Sequence, residues 1–390
     1  MSPPSIPTPR NVQLLYLHRF LNCFCPHSAY LVIYFNQVSG SYAASMMVIA
    51  VDALSSALCD IPTGVLSDRI GRKYTIAFGS CCYAMAVTCY ALAHSFGVLI
   101  VGAVLMGLGR CLFNGNNTAL LYETLKTTGQ EDSFAHYQGR TGSMFQFALG
   151  LSALCGGLLS IYGLQFVFLV GIVPQILAIL VCFFFVEPSV HAAHKRENFA
   201  HLKEVCKHII QNKRLILLIF AQGISYGAGE ATFRSKTAFA NMLWPTWAVG
   251  LYRATTHAFG FVSFWFAGKA IDRFKSLFLL IFAAGYWFLT QGLAVLLANR
   301  FSPVLLALEN VVYGSCSVAR DQLLQNEFTD AQRATLGSVA SFTGSILYAL
   351  IAVCIGIISD HFGLAAGIGF GVCVGALSLP IFVHLFCKHF

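Results

Sequence analysis

The chain has 390 residues, of which 57% are hydrophobic and only 10% charged, with a formal net charge of +8 and a mean hydropathy of +0.70. A soluble fold of this length needs a charged shell that these residues do not supply, so the outer solvent is lipid and a soluble enzyme is excluded. The positive charge belongs to loops between apolar runs and implies no nucleic-acid partner.

Residues 1–12 form a short cytoplasmic tail; with no basic n-region and no small-residue cleavage site, no signal peptide is expected. A spanning helix takes roughly 20 mainly apolar residues at about 1.5 Å each. On that rule six spans are predicted at 13–35, 43–63, 75–94, 97–124, 139–162 and 165–186, giving an N-terminal bundle over 13–186. A polar, basic stretch, 187–213, follows. It is either a solvated cytoplasmic linker or an amphipathic surface helix through Leu202, Val205, Ile209 and Ile210. Six further spans, at 214–238, 246–267, 276–298, 302–325, 335–359 and 362–386, give a C-terminal bundle over 214–390. Basic residues such as Arg69, Arg72, Lys73, Lys203, Lys269 and Arg273 fall on the side shared by both termini, whereas Arg300 sits in an opposite loop. The positive-inside rule therefore places both termini in the cytoplasm. Opposite loops such as 93–97 and 162–165 leave no room for an external domain. The 14 cysteines are scattered through apolar runs without CxxC spacing. They read as small packing residues, and no metal site or cofactor is expected.

The most informative run is Gly64-Val65-Leu66-Ser67-Asp68-Arg69-Ile70-Gly71-Arg72-Lys73, between the second and third spans. Its charges do not belong in hydrocarbon, so it is predicted to be a tight turn at the membrane surface. A weaker copy, Gly268-Lys269-Ala270-Ile271-Asp272-Arg273, recurs between the eighth and ninth. Asp60-Ile61-Pro62-Thr63-Gly64, with Leu66-Ser67-Asp68-Arg69, Gly71-Arg72-Lys73 and Ile76, resembles the motif A loop of the major facilitator superfamily. With the span count and the second copy, the resemblance covers essentially the whole chain. It implies an all-α membrane protein of twelve transmembrane helices in two pseudo-symmetric six-helix halves, the major facilitator fold. It also implies a monomeric secondary transporter of the bacterial inner membrane, working by alternating access on a small-molecule substrate.

For such a protein the expected gating cluster is Asp60, Gly64, Asp68, Arg69, Gly71, Arg72, Lys73 and Glu123, with Asp272 and Arg273 from the second copy. Asp68 suits the free amides of a neighbouring helix N-terminus, and Arg69, Arg72 and Lys73 suit carboxylates such as Asp60 or Glu123. The alternative is that these charges only fix topology. Residues 119–125 resemble the end of the fourth span in bacterial facilitators, and Arg110 resembles the family's intramembrane arginine. Gly142, Gly150 and Gly156-Gly157 resemble its glycine-rich antiporter motif, with Ser152-Ala153 where Gly-Pro is expected.

Ionisable groups inside spans mark functional sites. By the resemblance, spans one, four, seven and ten line the central cavity and carry Arg19, Arg110, Arg234 and Glu309. Arg19 and Asn22 are expected to face the cavity, the alternative for Arg19 being an ion pair with a neighbouring helix. Arg110, Asn114 and Asn117, spaced i, i+4 and i+7, share a helix face, and a face bearing an arginine and two asparagines is expected to line the cavity rather than meet lipid. Glu230 and Arg234 have the spacing of a local ion pair, and Lys236, Arg253 and His257 add positive charge toward the outer surface. Substrate-binding residues are thus expected to be Arg19, Asn22, Arg110, Asn114, Asn117, Arg234, His257 and Glu309. Asp52 is the first candidate for proton coupling, with Glu230 behind it; a salt bridge from Asp52 to a cavity arginine is the alternative. Arginines on two lining spans favour a carboxylate or phosphate substrate. The expected activity is proton-coupled export of a small organic anion or metabolite, siderophore-like carboxylates included. The alternatives are a broad drug/proton antiporter and proton-coupled uptake of an anionic nutrient. With no GxxxxGK[ST] loop, ATP hydrolysis is not expected.

Overall fold

Hydrocarbon offers the backbone no water, so each apolar run satisfies its own N–H and C=O groups by closing into a helix. The computed structural model describes residues 9–113, 115–130, 133–187, 212–326 and 333–387, and every regular element among them is helical. Most of the N-terminal tail, Asn114 and the candidate surface helix within 188–211 lie outside the described residues.

The first span is α1 (Arg10–Cys23) and α2 (Leu31–Ser39), joined by a 3-10 turn at Pro26–Tyr30. Then come α3 (Tyr42–Ile70), α4 (Arg72–Ala91), α5 (Phe96–Phe113), α6 (Asn116–Thr127), α7 (Phe134–Leu159) and α8 (Leu164–Phe183). The second half holds α9 (Lys213–Leu243), α10 (Thr246–Trp265), α11 (Ala267–Phe274), α12 (Ser276–Leu297), α13 (Ser302–Leu308) and α14 (Asn310–Asn326). It closes with α15 (Arg333–Phe362), α16 (Leu364–Ala376) and α17 (Ser378–Cys387). Among the described residues, 10 helical stretches are long and apolar enough to cross a membrane. The two expected spans beyond these are the broken α1–α2 segment and α10, which carries Arg253 and His257. Leu158, Phe183, Leu296 and Phe301 are exposed on the outside, where lipid is the solvent.

Three local expectations change. The charged run is not a ten-residue turn: α3 stays helical through Ile70, and the chain reverses at Gly71 alone, with φ 92°. A helix can extend past the apolar zone and carry its charges into water, so no loop is needed to expel them. The second copy is likewise the short helix α11, reversed at Lys275, which adopts φ 64°. The fourth span is interrupted at Gly115, with φ 83°, and the tenth at Glu309.

The halves pack through α3 on α15 and α7 on α10. Where α3 begins, the Asp360 carboxylate of α15 accepts hydrogen bonds from the Ser41 hydroxyl (2.6 Å), the Tyr42 amide (2.7 Å) and the Ala43 amide (2.9 Å). Gly356, one turn earlier on α15, lies against the Tyr42 carbonyl and Ala43, where a side chain would collide. Nearby, the Tyr30 hydroxyl donates to the Thr246 carbonyl across the halves at 3.1 Å. The charged motif lies at the far end of α3.

Candidate functional site

A cavity of about 900 Å³ lies between the halves. Toward the motif end its lining reaches Leu280 and Arg320, whose helices are tied by the Ser276 hydroxyl donating to the Gln322 side chain at 2.6 Å. Arg19, Asn22, Asp52, Arg110, Glu230, Arg234, His257 and Glu309 all contribute to its wall. These eight expected site residues, from both halves, are therefore brought together. Aromatic rings, among them Tyr83, Phe145, Tyr226, Phe233 and Trp287, fill much of the remaining surface.

On α5 the Arg110 guanidinium donates through Nη2 to Asp52 Oδ2 on α3 at 2.5 Å. The contact depends on Gly107, one turn before Arg110: a Cβ there would strike the Asp52 carbonyl and the Ser55 side chain. With no side chain in the way, the two helices approach closely enough for the arginine to reach across. Asp52 is buried, and its Oδ1 has no protein partner. Of the two roles open to Asp52, the geometry therefore includes the salt bridge to a cavity arginine.

The break at Gly115 ends the face on which Arg110, Asn114 and Asn117 were to align, and Asn117 is not among the lining residues. The glycine's positive φ redirects α6. Asn116, which was not singled out in the sequence, turns instead to the motif, bonding the Ser67 hydroxyl and accepting from Arg72 Nη1 at 3.1 Å.

In the second half the expected basic vestibule resolves into different contacts. Lys236 Nζ donates to both oxygens of Glu309 at 2.6 Å, with both side chains almost fully buried. Lys236 is thus a structural counter-ion rather than a free surface cation, and Glu309 reaches the cavity already neutralised. Just before Glu309, the Leu308 carbonyl accepts from the Tyr286 hydroxyl at 3.1 Å. Arg253 is only 3% exposed; its guanidinium lies 3.6 Å from the centroid of the Phe233 ring and donates to the Phe233 carbonyl at 3.2 Å. Glu230 and Arg234 do not form the local ion pair that their spacing offers. On α14, Arg320 donates to the Ser225 hydroxyl at 3.0 Å.

The wall thus holds five arginines (19, 110, 234, 253 and 320) and three carboxylates (52, 230 and 309). Asp52 is matched by Arg110, and Glu309 by Lys236, which is not part of the wall. The balance is a positive interior with one unmatched carboxylate, Glu230. Such a chamber attracts anions and offers them fixed donors.

At the motif end, Arg72 Nε lies 3.3 Å from Glu123 Oε1, and its Nη1 donates to the Ser67 hydroxyl at 2.6 Å. The Glu123 partner is one of the two that the sequence suggested. The amides of Arg72 and Lys73, the first turn of α4, donate to the Glu187 carboxylate at 2.7 and 2.8 Å, an anion at the positive end of a helix dipole. In the sequence Glu187 is the edge of the linker, and no local pattern links it to a helix more than a hundred residues earlier. Gly64 and Asp68 lie within α3, and Asp60, Arg69, Asp272 and Arg273 are exposed. Lys73 Nζ donates to the Phe183 carbonyl at 3.0 Å.

Residues 16–350 match the family model described as Major Facilitator Superfamily. A Bacillus subtilis (strain 168) protein, the uncharacterized MFS-type transporter YxaM, is 25% identical over 356 residues, covering 86% of this chain and 85% of that protein. Among solved structures, a point mutant of the nucleoside transporter NupG superposes with a TM-score of 0.81 at 13% identity, over 97% of this chain and 100% of that one. The POT family transporter PepTSo gives a TM-score of 0.77 at 12% identity, over 98% and 99% of the two chains. These two likenesses are in fold.

Proposed function

The chain belongs to the major facilitator superfamily, and on that premise we propose that it is a proton-coupled exporter of small organic anions in the bacterial inner membrane. It is a secondary transporter rather than an enzyme. The observation that carries the anion reading is the arginine excess in the cavity, where guanidinium groups from both halves face the same space. Planar guanidinium forks match carboxylate and phosphate, and burial strengthens the attraction. The same excess disfavours lipophilic cations, the cargo of a drug antiporter, and gives no reason for uncharged nucleosides.

The Lys and Arg distribution supports a cytoplasmic position for both termini and for the motif end of the helices. The cavity then reaches toward the cytoplasm while the Asp360 contacts hold the outer side shut. The protein works as a monomer, and its bundles, 13–186 and 214–390, rock about the midplane to alternate access. Asp52 and Arg110 form the coupling element. Counter-movement requires the anion and the proton to occupy the chamber in turn: the anion binds while Asp52 is ionised and held by Arg110, and Asp52 takes up its proton only after the anion has left. Glu230, unmatched in the same chamber, is a second proton acceptor. The motif cluster of Ser67, Arg72, Asn116, Glu123 and Glu187 stiffens the cytoplasmic end of the N-terminal bundle so that it moves as one body.

The test is flux in proteoliposomes of known orientation under an imposed pH gradient, with labelled carboxylates and a lipophilic cation as separate substrates. Expected is saturable carboxylate movement counter to protons, abolished in Arg234→Gln and uncoupled from the gradient in Asp52→Asn. Carboxylate movement together with protons reassigns the protein to uptake. Cation flux without carboxylate flux overturns the anion reading.

A further inference from the structure

We propose that the cavity takes a two-ended anion, a small aromatic or similarly flat body with an acidic group at each end, one held by each half of the protein. This rests on the organic-anion reading and narrows its substrate class.

The argument starts from donors that are buried and unused. In the N-terminal half, Arg19 and Asn22 are three residues apart on α1 and so share a face. Arg19 sits 4.9 Å from the centroid of the Phe145 ring, and its buried Nε has no hydrogen-bond partner. Asn22 is 8% exposed, and its Nδ2 is likewise unpartnered. In the C-terminal half, Arg253 is stacked on Phe233 with its Nη1 unpartnered, and the buried Nε of Arg234 is free as well. His257 stands beside them on α10, its ring against Phe233. A buried donor without an acceptor is costly, more so on a cation, and native proteins rarely leave several facing one space without a reason. An arginine laid on an aromatic face keeps its in-plane N–H groups for a ligand at its edge.

The protein's own carboxylates do not serve these donors. Asp52 is engaged by Arg110 and Glu309 by Lys236. Glu230 is on the C-terminal half, one turn from Arg234, and forms no ion pair with Arg19. A ligand with one acidic group satisfies one pole and leaves the other desolvated and empty. A ligand acidic at both ends satisfies both, and the rings that line the same cavity, including Phe145, Phe233 and Trp287, suit a flat body. The C-terminal pole, with two arginines and a histidine, is the stronger and takes the more highly charged end.

The experiment measures Kd calorimetrically on the full chain in detergent, with matched pairs of probes. Terephthalate is compared with benzoate, and biphenyl dicarboxylate with its monocarboxylate, so that two pole separations are sampled. At least one dicarboxylate is expected to bind roughly tenfold or more tighter than its monocarboxylate, the worth of one charge-assisted hydrogen bond. The ratio is expected to collapse toward one in Arg19→Gln and in Arg253→Gln. Because each ratio comes from a single preparation, loss of folded protein cancels, and the wild-type ratio alone decides if a variant fails to fold. Equal affinities within both pairs overturn the two-ended inference and leave the organic-anion reading standing. Failure of all four probes to bind overturns both.

Discussion

Replacing Asp360 by Asn tests the latch that α15 forms on the start of α3. The carboxylate accepts three hydrogen bonds, from the Ser41 hydroxyl and the Tyr42 and Ala43 amides, and places a negative charge at the N-terminus of α3. Asparagine keeps one acceptor oxygen, loses the charge and turns an NH2 toward groups that are themselves donors. Ser41 retains its own cap, accepting from the Ala44 amide at 3.1 Å, so α3 is not expected to unravel. An exposed charge at a helix end is worth about 0.3–1 kcal/mol, and a charge-assisted hydrogen bond about 1.5–3 kcal/mol. Asp360 is exposed, so the low end of each range applies, and the latch is worth about 2 kcal/mol. That is roughly a 30-fold change in the ratio of the two end states. The assay is hydrogen–deuterium exchange. Peptides covering 41–47 and 355–362 should exchange faster in Asp360→Asn as the halves part there, and peptides at the motif end of α3 and α4 should exchange more slowly. A variant whose exchange matches wild type at both ends refutes the idea that these three bonds hold the outer side shut.

Two further outcomes follow from the geometry. Lys236→Met should lower stability by about 3–5 kcal/mol, because it strands the buried Glu309 carboxylate, whereas the double change Lys236→Met with Glu309→Leu should recover most of that loss. Thermal unfolding in detergent reads both, and simple additivity of the two single changes refutes the pairing. Lys275→Gly should raise the melting temperature, gaining about 1 kcal/mol by relieving a φ of 64° that a side chain resists, less the entropy glycine adds to the unfolded chain; an unchanged or lower value refutes the strain.

The mechanism needs the intramembrane charges to be of two kinds. Lys236 and Glu309 neutralise one another between α9 and the break in the tenth span, and this buried pair holds that region in shape. Arg19, Arg234 and Arg253 keep donors unspent. Asp52 and Arg110 fall between these extremes: the pair is formed, yet Asp52 Oδ1 is unpartnered and both groups reach the cavity wall. A contact that is strong but incomplete is suited to being exchanged during a transport cycle.

What the amino-acid sequence determined by itself is whatever depends on local composition. Apolar runs about as long as a bilayer is thick must be helices, because lipid leaves the backbone no other partner. A cluster of charges between two such runs has to reach water, and an arginine inside one needs a polar environment. Those statements identify the membrane fold, the motif end and most of the cavity residues without coordinates. Tertiary structure alone decided which charge answers which. Lys236 chooses Glu309, Glu187 caps α4 and Asp360 caps α3, all across long stretches of chain. The Glu230–Arg234 pair that helical spacing suggests is absent. Each choice depends on how helices are rotated and how closely they approach, and contacts such as Gly107 on the Asp52 backbone set that approach. Periodicity along one helix does not encode the orientation of its neighbour. Nor did it reveal that Gly115 adopts a positive φ, which ends the face that Asn117 was expected to share with Arg110 and leaves Asn116 to bond the motif.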